Sequence, residues 1–133
     1  MASVLKVDEL HGVTSAGDIT ITSEGGSATQ SLQQGLAKSW VNFNGTGTIA
    51  ARDSFNHSSL TDRGTGFYAV TITSAMSSND FYGESLQRAN GYAAGPNGSE
   101  EFTTTGITTL EYYSATSLGD RQICGFMILG DLA

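Results

Sequence analysis

The stretch whose reading decides the fold runs from Trp40 to Tyr68, WVNFNGTGTIAARDSFNHSSLTDRGTGFY. WVNFN alternates, with Trp40, Asn42 and Asn44 on one face and Val41 and Phe43 on the other, the period of a β-strand. GTGT then supplies a turn, IAARDSFN a second strand, and SSLTDRGTG reads as a loop with a tight turn at DRGTG. The same stretch holds Arg52, Asp53, His57, Asp62 and Arg63. It is therefore either a catalytic site on a β scaffold or a core with polar staples.

Working outward, FYAVTIT (Phe67 to Thr73) is the clearest strand, with Tyr68, Val70 and Ile72 on one side. FYGESLQRA reads as a strand or edge segment, and NGYAAGPNGSEEF is dense in turns. ITTLEYYSA and RQICGFMIL finish the chain. In the last, Cys124, Phe126 and Ile128 share one face and Ile123, Met127 and Leu129 the other. A strand apolar on both faces is expected in a central or interface-facing position. Ahead of the aromatic region, VLKV and DITIT (Asp18 to Thr22) alternate as half-buried strands do. SATQSLQQGLAK offers a short helix, with Ala28, Leu32 and Leu36 at spacing four and Gly35 weakening it. Residues 1–36 contain no aromatic residue and cannot bury a core alone. They are expected to form an attachment or oligomerisation arm, followed by a β-sandwich knob over 37–133.

Composition agrees with β structure. Among 133 residues, 38% are hydrophobic and 14% charged, with 17 glycines, 16 serines and 16 threonines. Threonine, aromatic and β-branched residues suit pleated surfaces, and glycine suits tight turns. Short strands with no long helix imply an all-β fold, an antiparallel β-sandwich or a small jelly-roll-like barrel. The formal net charge is −7, and Lys6, Lys38, Arg52, Arg63, Arg88 and Arg121 are scattered singly. Without a basic stripe, no nucleic-acid partner is expected. No apolar run approaches a membrane span, and MASVLKVDELHG lacks the apolar core of a signal peptide, so membrane insertion is not expected either.

The candidate sites resolve mostly into structure. Asp53 and Asp62 could supply acid and base, but beside Arg52 and Arg63 around a glycine-rich turn they read as loop-fixing charge pairs. His11 and His57 lack HxH or HxxxH spacing, so neither metal nor cofactor is expected, save where copies of one histidine meet on a symmetry axis. Ser54, Ser58 and Ser59 beside His57 and Asp53 list the members of a triad without its geometry. Cys124 in an apolar strand reads as an inert small hydrophobe. GTGT and GTG precede no helix and so form no dinucleotide loop. Asn44, Asn56 and Asn97 match the glycosylation sequon, a by-product of Ser/Thr richness. Loops 90–101 and 114–121 could stack on sugars and bind hydroxyls. No catalytic residue is assigned. Trp40, Phe43 and Phe55 read as core, with Asn42, Arg52, Asp53 and Asp62 as polar staples.

From Ala37 to Met76, AKSWVNFNGTGTIAARDSFNHSSLTDRGTGFYAVTITSAM resembles a module of tail-fibre and related virion surface proteins of tailed bacteriophages, especially marine ones. The matching elements are Ala37 to Gly45, Arg52 to Asn56, Ser59 to Gly66, Phe67 to Met76 and Ile123 to Leu129. SVLKVDEL resembles the openings of such proteins. The resemblance implies a homotrimeric, non-enzymatic virion component, made in the host cytoplasm and displayed on the particle surface. It implies contact with other virion proteins through the arm and with a host surface glycan or protein. Only about 36 residues precede the module, so a trimeric capsid decoration protein is the alternative, with a small glycan-processing enzyme a third reading.

Overall fold

The computed structural model describes residues 4–13, 19–22, 25–87, 93–96, 102–114 and 117–133. Its strands are β1 (Thr20–Thr22), β2 (Thr29–Ser31), β3 (Ala37–Asn44), β4 (Ala50–Phe55), β5 (His57–Gly64), β6 (Phe67–Ile72), β7 (Tyr82–Gln87), β8 (Ala93–Pro96), β9 (Phe102–Thr103), β10 (Gly106–Ser114), β11 (Ser117–Leu118) and β12 (Cys124–Leu129). No described residue is helical. The chain divides into two compact units, Met1–Leu36 and Ala37–Ala133.

In the first unit, β1 pairs antiparallel with β2, Ile21 opposite Gln30. The Leu32 amide donates to the Ile19 carbonyl at 2.7 Å and extends the pairing by one bond. The helix expected over 27–38 is instead β2, turns in which Gly35 N donates to Ser31 O and Leu36 N to Gln33 O, and the start of β3. One such turn fixes several dihedrals for few bonds and does not propagate through Gly35. VLKV is not a strand, since no described residue pairs with it, and none of the unit's described residues is buried.

The second unit is an all-β, sandwich-like arrangement of two antiparallel sheets. One has the order β4-β3-β12-β7; the other follows β5-β6-β10-β11, with β8 and β9 also paired to β10. The inner faces meet in one core. Val41 and Phe43 of β3 and Cys124, Phe126 and Ile128 of β12 pack with Tyr68, Val70 and Ile72 of β6, Ile107 of β10, and Met76. The face of β6 with Tyr68, Val70 and Ile72 is buried; of the two apolar faces of β12, the one with Cys124, Phe126 and Ile128 is buried, and β12 lies centrally between β3 and β7, as expected of a strand apolar on both faces. Phe43 and Tyr68 meet edge to face at 5.2 Å, adding directional attraction to the area they bury.

Two expectations on the deciding stretch are corrected. SSLTDRG is a strand, β5, rather than a loop. It is an edge strand, so it needs little apolar sequence to hold its place. Trp40 and Phe55 are not core: they lie opposite one another on the outward face, Trp40 half-buried and Phe55 54% exposed. Alternation identified the two faces of β3 correctly, but the face with Val41 and Phe43 is the one that turns inward.

β4 and β5 belong to different sheets and are joined by a single residue, Asn56, with φ of 51°. Asparagine tolerates this left-handed conformation better than most side chains. Its Nδ2 donates to Lys38 O at 2.9 Å and Ser74 O at 3.2 Å, and its Oδ1 accepts from Ser74 N at 2.7 Å. Its own carbonyl accepts from Thr73 N and Ser39 Oγ. The corner thus ties β3 to the segment after β6. Asn56→Ala is expected to lose about 2–3 kcal/mol of stability, from stranded hydrogen-bond partners and left-handed strain. Asn56→Gly should lose about 1 kcal/mol less, since glycine relieves the strain. Urea unfolding of the three proteins checks both the loss and the order.

Candidate functional site

The charged residues picked out by the sequence do not converge on one site. Asp53 on β4 accepts from Ser54 N at 2.8 Å, and Asp62 on β5 accepts from Gly64 N at 2.9 Å. Each carboxylate therefore serves a neighbouring amide in its own strand, and the two strands lie in different sheets. Neither pairs with the adjacent arginine. Arg52 instead donates to Asn42 Oδ1 at 3.3 Å, Phe43 O at 2.8 Å and Gln122 O, stitching β4 to β3 and to the approach of β12. The staple at Arg52 exists, with carbonyls where a carboxylate was expected. His11 is exposed beside Glu9 at 2.8 Å, far too solvated for this contact to add much. Asn44 spends its side chain on Thr46, as Asn56 does on the corner, so both sequon asparagines are structural. Asn97 and most of loop 90–101, with part of 114–121, lie outside the described residues. Among the described residues no group of three or more His, Cys, Asp or Glu gathers to hold a metal.

The polar node that sequence reading missed centres on Tyr68. Its hydroxyl lies 2.8 Å from Gly45 O and 2.9 Å from Asp120 Oδ1, and Asp120 also accepts from Gly66 N at 2.8 Å. Gly45 N donates to Arg121 O, which also receives the Cys124 thiol at 3.4 Å. A Cβ on residue 45 would sit 2.5 Å from the Tyr68 oxygen, so the turn has to carry glycine for the phenol to reach it. Burial, reinforced by the Asp120 carboxylate, pushes the Tyr68 phenol far up, and it remains a donor. Burial also raises the Cys124 thiol to about 11, above any useful thiolate range. The node closes loops and offers neither a nucleophile nor a free acid–base pair.

What the second unit leaves for function is its two outer faces, and they differ. On the four-stranded sheet, Phe55, Trp40 and Met127 lie side by side across β4, β3 and β12, with Leu129 opposite Tyr82. Phe55 and Tyr82 are 54% and 58% exposed. On the other sheet, Ser59, Thr71, Gly106 and Thr103 lie in register across β5, β6, β10 and β9. There a hollow of about 120 Å³ opens between Thr61, Arg63, Thr71, Thr103 and Thr105. Among the described side chains, the first outer face carries this aromatic and aliphatic group beside Asn42, Asp53 and Glu84, while the second is small and hydroxyl-bearing around the hollow, with Phe67 further along β6. Compared with known protein families, curated proteins and solved structures, the chain matches none.

Tyr68→Phe is expected to cost about 1–2 kcal/mol by stranding the Gly45 carbonyl, with the ring packing intact. Thermal melting monitored by circular dichroism checks it. His57 sets a pH dependence. Its Nε2 is buried without a partner, and burial lowers the ring's proton affinity, opposed by a backbone hydrogen bond at Ser59. The folded chain therefore protonates the ring at lower pH than the unfolded chain, which takes up its proton as pH falls through the ordinary value of about 6.5. This stability is present above about 6.5 and is lost as pH falls below it. Between pH 7.5 and 5.5 the native protein's melting temperature should drop further than that of His57→Gln.

Proposed function

We propose that this chain is a non-enzymatic structural component of a bacteriophage virion surface. It assembles as a homotrimer, mounts on other virion proteins through residues 1–36 and presents the β unit to the host surface. The observation that carries the reading is uncovered apolar surface. Phe55, Tyr82, Trp40, Met127 and Leu129 share one outer sheet face, and Val4, Leu5, Val7 and Leu10 are 55–79% exposed in the first unit. Contiguous exposed apolar surface marks contact with other chains more often than a free monomer's exterior. Closed rotational symmetry suits such an arrangement, and the resemblance over Ala37 to Met76 selects three-fold. The commitment of Asp53 and Asp62 to backbone amides favours the structural reading over glycan cleavage.

Light scattering on the purified chain is expected to return three times its 13.9 kDa mass, and a monomer at micromolar concentration would sink the proposal. Phe55→Ser should leave the circular dichroism spectrum unchanged and shift the trimer toward smaller species. A trimer indifferent to this change would place the interface elsewhere. Antibody labelling of intact particles locates the protein, and its copy number separates a tail device, present in a few copies, from the alternative capsid decoration protein, present in many.

A further inference from the structure

We propose that the hollow on the outer face of β5, β6 and β10 is a binding site for a carboxylate-bearing sugar. It goes beyond the assembly reading and stands on the chemistry of the hollow alone, whichever particle or partner carries the chain. The hollow exists because its floor carries almost no side-chain bulk. Ala69 contributes a methyl, and Gly106 contributes nothing. A Cβ at residue 106 would lie 2.1 Å from Val70 O, and φ there is 144°, so that part of the floor stays bare. Thr103 donates its hydroxyl to Gly106 O and is held in place beside Thr105.

The walls present donors without acceptors. Among the described residues, the Arg63 guanidinium has no hydrogen-bond or ion-pair partner, nor do the hydroxyls of Thr61 and Thr71. Arg63 is exposed and does not pair with its sequence neighbour Asp62, so its guanidinium stands free at the rim of the hollow to meet a ligand. Its planar fork matches a carboxylate through two parallel hydrogen bonds. Threonine hydroxyls both donate and accept, as the hydroxyls flanking a sugar carboxylate require. The hollow, about 120 Å³ and open to solvent on one side, has room for a carboxylate and the adjoining edge of one pyranose ring. A nucleic-acid backbone needs more than one cation.

The test titrates the isotope-labelled full chain with sodium glucuronate, glucose and sodium sulfate, followed by amide chemical shifts. Glucuronate is expected to move the amides of Thr61, Thr71 and Gly106 saturably, with glucose leaving them in place and sulfate binding at least about tenfold more weakly. Arg63→Gln should weaken glucuronate binding by about tenfold or more, the loss of a charge-assisted pair. Thr71→Val should weaken it by a smaller factor, with melting unchanged in both variants. Absence of saturable shifts at these amides would overturn the assignment. So would sulfate binding as tightly as glucuronate, which would make this a simple anion site, or an Arg63→Gln variant that binds as well as the native chain.

Discussion

The second unit depends on one residue placed in an uncommon conformation. Asn56 lets the chain leave one sheet at Phe55 and enter the other at His57 with no loop between them. A longer connection would spare the left-handed backbone but would leave the sheet edges untied. Asn56 instead makes the corner and then uses both ends of its amide to bind Lys38 O, Ser74 O and Ser74 N. These bonds link β3 in one sheet to the chain leaving β6 in the other. That linkage fixes which way β3 faces, and so which of its side chains reach the core. Val41 and Phe43 turn inward, against Tyr68 and Val70, as a consequence.

Tyr68 acts at the opposite end of the same strands. Its ring is core and its hydroxyl is a clasp, joining the turn after β3 to the segment before β12 through Gly45 and Asp120. With 38% hydrophobic residues the chain has a thin core, so polar contacts must hold the positions that packing alone would leave loose. Their placement at the two ends of β3 and β6 is economical. A buried polar group that is fully partnered costs little and specifies one arrangement, whereas an apolar end would tolerate slippage. Arg52, an exposed residue, adds a tie of its own by reaching carbonyls on two neighbouring segments.

The legible parts of the fold were those where alternation and burial coincide. Tyr68, Val70 and Ile72 form one apolar face because Ala69 and Thr71 between them are smaller or less apolar, whereas β12, apolar on both faces, declares its central place in the sheet and not which face turns inward. β3 declares two faces without saying which is buried, since Trp40 competes with Val41 and Phe43 and the decision is made by the Asn56 corner. β5 hid because an edge strand is held by one neighbour and can be polar along its length. The helix expected at 27–38 failed because three apolar residues at spacing four also fit turns once Gly35 intervenes. The roles of Asn56 and Asp120 were invisible for a different reason. Their partners lie 18 and 52 or more positions away, and local sequence carries no trace of such pairings. An asparagine between two strand-like runs, where no glycine offers itself for a left-handed turn, was the available signal for the corner.

The difference between the outer faces follows from the same sheets and calls for a separate cause. Folding requires only that the inner faces be apolar; the outer faces are free to vary so long as strand propensity is kept. Threonine satisfies that freedom cheaply, being β-branched and water-compatible, and the β5-β6-β10 sheet uses it repeatedly at outward positions. The β4-β3-β12-β7 sheet places Trp40, Phe55, Met127 and Leu129 at the equivalent positions, where folding gains much less from them. A chain under no constraint but solubility would have threonine on both sides. Several large apolar side chains gathered on one outer face favour a surface shaped by contact with another chain, and the hydroxyl-bearing hollow on the other sheet is what such contact would leave open to a ligand.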